Sequence, residues 1–517
     1  MPETRPAVSI LIAPSLRTIL LAGLLALAVG LATPSPGAAA QATQPYPDTP
    51  LVGAHSARAF GDSVGVNVHL SWLDTSYGDF NTLQARLREL GVRYVRDGLC
   101  ATCEYQIDRL RGLAAAGIRA HIIVGDLARG TSMMQENLRA IRNRLRAAVI
   151  SVGAPNEPNL SGDPQWVAKA RAYQQELYVR VKSDPALAAL PVLGPAVGWP
   201  ASPGDLGNLS QVLDRGNFHP YPGGNPPYHN LGPERFRAAA VSGTKPVVAT
   251  ELGYHSDLAT TSGHLPASER AIAFYMPRAA LEGYIGGVER TYIYQLADPW
   301  PDAARPAGLE LMENRFGLLR SNLTPKPSFL ALRNLLGAVN GDSPPVAAPG
   351  GLRFALEGAG PDVRQLLLHS ANGSYSLVLW RTAAVWDPAV RRDLNPAADP
   401  LEVVLGQPVS LARRFEPVVS DAELQRWANP TRIPVDLAGG PVVLKLTPPG
   451  APAALPAPSA CAALAPGRPS KAKRRRGCCR TGRARTRGAK VRTASARKAL
   501  RRSRATWRKV SPRRCRP

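Results

Sequence analysis

The sequence predicts an α/β fold: a (β/α)8 TIM barrel, then a small all-β sandwich, then a disordered basic tail. Three observations carry this reading. Apolar strand-like runs alternate with amphipathic helical stretches through eight units between about residues 60 and 340. Beyond about 350 the runs become short and are separated by turn residues such as Ala371-Asn372-Gly373. The basic charge is confined to the C-terminus: from Arg468 onward there are 22 Lys and Arg and no Asp or Glu, leaving +3 of the net +25 for the rest of the chain. A folded body so close to neutral does not suit a nucleic-acid-binding fold. With 517 residues, 44% of them hydrophobic, the chain can build two domains and a sizeable core.

Both ends carry signals of a different kind. Residues 1–40 read as a secretory signal: Arg5 and Arg17 precede the apolar run Ile19–Ala32, and Gly37-Ala-Ala-Ala40 offers a small-residue cleavage site. The alternative, an uncleaved anchor, is disfavoured by the shortness of the run and its internal glycines. A Pro-rich leader spans 41–58. The expected location is therefore secreted or cell-surface associated, where cysteines oxidise. Of the six cysteines, Cys100 and Cys103 form a C-x-x-C that reads as a local disulfide, because no second pair completes a zinc set in the folded part. The other four, Cys461, Cys478, Cys479 and Cys515, fall in the tail region 449–517, which is Pro/Ala-rich and then Arg-rich and builds no core.

The barrel is expected over 59–341. Strands are read at 63–70, 92–98, 119–125, 147–154, 192–197, 217–221, 246–251 and 288–297. Helices are read at 80–90, 105–116, 134–146, 164–182, 206–214, 233–241, 267–284 and 327–339. Gly91 and Gly117 stop the first two, and Pro233 is taken as the first residue of the sixth. An open doubly wound sheet is the alternative, but no Gly-rich phosphate loop follows the first strand. The sandwich, 350–448, is expected to use strands at 352–356, 365–369, 376–381, 401–405, 409–413 and 442–446.

Alternation assigns faces. Val64, Val66 and Val68 share one face of the first strand, with Asn67 and His69 on the other. Val95, Phe218 and Thr250 are expected to face the helices. Tyr94, Arg96, His219, Tyr221, Ala249 and Glu251 are expected to point inward, near the C-terminal strand ends where barrel enzymes place their sites.

Two acids stand at such ends. Glu157 lies in Asn156-Glu157-Pro158 after the fourth strand, where Pro158 pushes it out of the right-handed α region. Glu251 lies in Thr250-Glu251-Leu252-Gly253 after the seventh. Two carboxyls at two strand ends are the minimum equipment for glycoside hydrolysis. Each also has a plainer reading. Glu157 could cap the next helix, Glu251 could be a solvated loop acid, and Arg96 could pair with Asp97 or Asp126. His219, Tyr221 and Trp300 could be packing residues. Tyr292 and Tyr294 are read as core.

These motifs, with Arg96, His219-Pro220-Tyr221 and Trp300 after the eighth strand, resemble the clan A retaining glycoside hydrolases, family 39-like or cellulase-like, over about residues 60–447. The resemblance implies a retaining mechanism. Glu157 is then the acid/base and Glu251 the nucleophile, with the charge on Glu251 favouring a protonated Glu157. Arg96 would keep Glu251 ionised, Tyr221 would hydrogen-bond it, and His219 would orient the site. Asn156 would hold the sugar 2-hydroxyl, and Trp300 would be a platform for a sugar ring, with His69 and Trp72 as wall residues. No metal and no cofactor is expected, since this chemistry needs none. The expected partners are a carbohydrate substrate and, for the tail, anionic cell-surface polymers or other polyanions, without specific nucleic-acid binding. The competing function is a non-catalytic carbohydrate-binding or cell-surface protein on the same scaffold.

Overall fold

The computed structural model describes residues 46–451 except Ala154 and Ser262. The expected signal segment, the tail beyond 451 and its four cysteines lie outside the described residues. Eight parallel strands form one sheet: β1 (Val64–Asn67), β2 (Tyr94–Gly98), β3 (Arg119–Ile123), β4 (Val149–Gly153), β5 (Val192–Leu193), β6 (Gly216–Phe218), β7 (Val247–Leu252) and β8 (Val288–Ile293). Their order is β5-β4-β3-β2-β1-β8-β7-β6. A parallel bridge between Leu193 and Arg215, with Gly194 N–H donating to the Arg215 carbonyl at 2.9 Å, joins the two ends and closes the barrel.

The helices follow from local sequence. Phe80–Leu90 buries Leu83, Leu87 and Leu90 on one face, is capped by the Asp79 carboxylate, and ends at Gly91 in the left-handed region with φ 81°. Glu269–Ile285 is capped by the Ser268 hydroxyl, which accepts from Ala271 N–H at 3.0 Å.

Three expectations differ. The segment 206–214 is not a helix: a short 3-10 turn, Pro203–Leu206, precedes it and Gly207, at φ 65° and ψ −174°, ends that turn. The sixth connection is helical from Tyr228 to Ser242, so Pro233 sits inside it and Pro227 marks the start. The expected helix 134–146 is α-helical over Gly130–Ala140 and continues as a π turn, Ile141–Leu145.

Packing corrects one strand phase. Val95 and Phe218 pack outward into the main core, while Tyr94 lies inside the barrel against Leu193, Val248 and Tyr292. With Val248 inside, alternation makes Ala249 outward, where it joins the main core, and brings Thr250 inward, opposite to expectation. Between the pairs Thr291–Ala249 and Ile293–Leu252, β7 carries one residue more than β8. This bulge lets Thr250 and Glu251 both address the barrel mouth.

The sandwich begins earlier in the chain than expected. Leu51–Gly53 pairs with Gly351–Glu357 in a four-stranded sheet that continues to Asp399–Leu405 and Arg432–Leu437. His55–Ser56 pairs with Val363–His369 at the edge of a six-stranded sheet. Part of the 41–58 leader is therefore strand. The six-stranded sheet is buried on both faces: Leu367, Leu377, Leu379 and Leu444 face the sandwich interior, whereas Leu366, Leu368, Val378 and Trp380 join the barrel core. Polar groups seal the same junction, Val385 N–H donating to Tyr275 Oη at 3.0 Å and Trp386 Nε1 to the Pro266 carbonyl at 2.9 Å.

Candidate active site

The inner residues of neighbouring strands meet at the C-terminal mouth. The register pairs Asn67 with Arg96, which sets their side chains together. Asn156 bridges Ala196, and Glu157 N–H donates to the Ala196 carbonyl at 3.1 Å, so the corner after β4 is stitched to the chain beyond β5. There Glu157 adopts φ 43° and ψ 56°, a left-handed conformation that costs a non-glycine residue about 1–3 kcal/mol. Gly198 makes room for it: a Cβ at that position would lie 2.8 Å from the Glu157 carboxyl carbon. Glu157 occupies a cap position before Pro158 but its side chain makes no capping bond.

Glu251 is gripped from two sides. Arg96 Nη1 donates to its Oε1 at 2.6 Å and Tyr221 Oη donates to its Oε2 at 2.7 Å. Arg96 also donates to Asn67 Oδ1 at 3.0 Å and to Asn156 Oδ1. It is therefore the partner of Glu251, while neighbouring Asp97 accepts from Leu70 N–H and Gln106 instead. Burial pushes the Glu251 carboxyl up, but His219, Arg96 and the Tyr221 hydroxyl outweigh it and hold the group below the usual glutamate range. Burial, reinforced by Glu251, raises the Tyr221 hydroxyl well above its ordinary value, so it stays a donor.

His219 links the two acids. Its Nδ1 lies 2.7 Å from Glu157 Oε1 and 3.5 Å from Glu251 Oε2. Thr250 Oγ1 donates to Asn217 Oδ1 at 2.7 Å, so it accepts from His219 Nε2 at 2.9 Å. That places one imidazole proton on Nε2 and leaves Nδ1 and Glu157 to share another. Ligand atoms of Glu157, His219 and Glu251 lie within 4.8 Å of one another. A cation would have to compete there with Arg96, Tyr221 and Thr250, which already hold Glu251 and His219, so the trio reads better as a hydrogen-bonded carboxyl pair.

The aromatic candidates form a wall. His69 stacks on Trp72 with centroids 4.0 Å apart, and Trp72 on Trp300 at 5.7 Å. Burial lowers the His69 imidazole to about 4, with the Glu251 charge opposing and Arg96 adding to the fall, so the ring is neutral at ordinary pH. Trp300 is fixed through its backbone, N–H donating to Asn314 Oδ1 at 2.9 Å and its carbonyl accepting from Asn314 Nδ2 at 2.8 Å. Cys100 and Cys103 are joined as a disulfide just after β2.

Other mouth residues escaped the sequence reading. Tyr294, taken for core, has its ring 6.2 Å from Tyr221 and 5.4 Å from Phe316. His264 stacks on Tyr221 at 4.6 Å. Glu313, from the loop after β8, is a third acid near the pair. Burial, then the charges of Glu251, Glu157 and Glu310, pushes it up to about 7. These residues sit in loops, where no periodicity marks them. Only Tyr294, two residues past inward-facing Tyr292, carried a readable signal.

No protein-family model matches the chain, and no curated protein matches it by sequence. Solved structures do match. A monomeric beta-xylosidase from Caulobacter crescentus CB15 is 16% identical, with a TM-score of 0.53 over 77% of this chain and 98% of that one. The GH39 enzyme from Xanthomonas axonopodis pv. citri is 15% identical, with a TM-score of 0.51 over 79% of this chain and 99% of that one. At this identity the likeness is one of fold: a (β/α)8 barrel with a β-sandwich, the arrangement expected for clan A glycoside hydrolases.

Proposed function

We propose that the chain is a retaining β-glycoside hydrolase that cleaves O-glycosidic bonds of a polysaccharide or glycoconjugate by double displacement. The observation that carries the proposal is the asymmetric acid pair: two carboxyls whose oxygens approach within 4.8 Å, one held ionised by Arg96 and Tyr221, the other sharing a proton with His219. So close an approach supports direct attack, for which the carboxyls of a retaining pair stand about 5–5.5 Å apart, over the about 6.5–9.5 Å that an inverting pair needs to hold a water.

In the first step a Glu251 oxygen attacks the anomeric carbon while Glu157 gives its proton to the leaving oxygen. The glycosidic bond breaks and a glycosyl ester of Glu251 forms. In the second step Glu157 takes a proton from water, whose oxygen attacks the same carbon and frees Glu251. Asn156, anchored through Oδ1 to Arg96, keeps its amide N–H groups for a sugar hydroxyl. Trp300 and Trp72 offer the apolar face of a ring platform.

The test is an activated 2-fluoroglycoside panel followed by peptide mapping. An adduct on Glu251 is expected in the wild type and none in Glu251→Gln. An adduct on another residue, or full activity in Glu251→Gln, would refute the assignment. Secretion and tethering of the enzyme to anionic polymers by the Arg-rich segment belong to the same proposal, supported by the sequence features at the two ends. Truncation near residue 450 should leave hydrolysis intact and abolish low-salt retention on an anionic matrix.

A further inference from the structure

Trp199 is 66% exposed, an unusual state for a tryptophan on a folded surface. It follows Gly198, whose backbone lies against the Glu157 carboxyl. Gly198 is held in place by a reciprocal pair of bonds: its N–H donates to Asn159 Oδ1 at 2.9 Å, and Asn159 Nδ2 donates to its carbonyl at 2.8 Å. Ala201 N–H also donates to the Gly198 carbonyl at 3.1 Å, which closes a tight turn around Trp199. Consecutive Cα atoms are about 3.8 Å apart, so the backbone that carries the indole stands one residue from the glycine packed against the acid, on a braced turn. Leu160, next to Asn159 on the facing 3-10 turn, is 47% exposed. Two apolar side chains are thus left in water, each one residue from the Gly198–Asn159 bonds beside Glu157. The Trp300–Trp72–His69 stack reaches the site at another point, where His69 feels the charges of Glu251 and Arg96.

The geometry points to Trp199 as a platform for the sugar ring on the leaving-group side of the scissile bond. This inference rests on the hydrolase reading above, because the leaving oxygen lies where the acid reaches it. The apolar face of a pyranose or furanose ring stacks on an indole as other flat apolar surfaces do. A second sugar ring bound there makes the preferred substrate an oligosaccharide or polysaccharide rather than a glycoside of a small alcohol. In the second step the same surface receives an acceptor sugar, which competes with water for the glycosyl-enzyme.

The experiment compares two substrates of one glycone, identified with the 2-fluoroglycoside panel: an oligosaccharide and the corresponding glycosyl fluoride, whose leaving group has no ring. In Trp199→Ala the ratio of kcat/KM on the oligosaccharide to that on the fluoride should fall about tenfold, through KM more than kcat, and Trp199→Phe should restore most of it. The ratio of transfer products to hydrolysis at high acceptor concentration should fall in parallel. An unchanged ratio in Trp199→Ala, or an equal loss on both substrates, overturns the platform while an adduct on Glu251 leaves the hydrolase standing. Absence of any Glu251 adduct overturns both.

Discussion

The two acid-bearing corners share a place in the barrel and differ in nearly everything else. At the end of β7 the Glu251 side chain is 8% exposed and accepts from Arg96 and Tyr221. At the end of β4 the Glu157 side chain is 21% exposed and touches one titratable partner, His219. Under the proposed double displacement, Glu251 as nucleophile must stay charged, and the donors around it favour that state. Glu157 as acid/base must release and recover a proton, and its half-open setting with one hydrogen-bonding neighbour suits that role. The backbone echoes the contrast: Glu251 rides on a strand that is paired on both sides up to Ala249 and bulges at Thr250–Glu251, whereas Glu157 is bent into a left-handed conformation just beyond its strand.

Substitutions at the two corners should separate these roles. Glu251→Gln carries the largest expected effect, loss of turnover on every substrate, read as steady-state rate. Glu157→Gln should lower kcat by roughly 10²–10⁴-fold on substrates with poor leaving groups. It should do much less damage on a glycosyl fluoride, which needs little protonation; equal losses on both would erase the distinction between the corners. Tyr221→Phe removes one donor from Glu251. A hydrogen bond to a charged group contributes about 1.5–3 kcal/mol, so kcat/KM should fall roughly 10–100-fold. The pH profile gives the sign. Glu251 must be ionised and sits below the ordinary range, so activity is lost as pH falls through its pKa. Without the Tyr221 hydroxyl that pKa rises, and the acidic limb should move to higher pH. A limb that stays put would show that Tyr221 only packs.

The smallest effect belongs to Glu313. It titrates near 7: neutral below, and above it a third negative charge that favours the protonated forms of its neighbours. Glu313→Gln removes that charge, so the alkaline limb of kcat/KM should shift slightly to lower pH while the acidic limb holds. A shift in the opposite direction would mean that Glu313 acts through direct substrate contact instead.

How much of this was written in the sequence depends on whether a residue belongs to a repeating pattern. Phe80–Leu90 and Gly91 were legible because a 3.6-residue stripe and a left-handed stop coincide. The acids were legible because each ends an apolar run. Thr250 was assigned to the wrong face because a bulge inserts one residue into a period of two, and the alternation of one strand alone cannot reveal its partner's register. Arg432–Leu437 alternates cleanly in burial, yet Pro434 argues against a strand; the structure pairs it on one side only, at a sheet edge, where a proline is tolerated. Glu313 and Trp199 come from loops whose shape is set by distant partners, so their nearness to the acids could not be read along the chain.

The strands at 51–56 give the molecule a history as well as a shape. Leu51 pairs with Arg353, 302 positions later (353 − 51). During synthesis these first strands emerge without partners and wait while the whole barrel is made between them and the sheets they complete. The closure entropy of so long a loop grows only slowly with length, and a folded barrel shortens the gap further by bringing its two ends together. The final sheets therefore form most readily around a barrel that has already closed, which couples completion of the sandwich to assembly of the barrel.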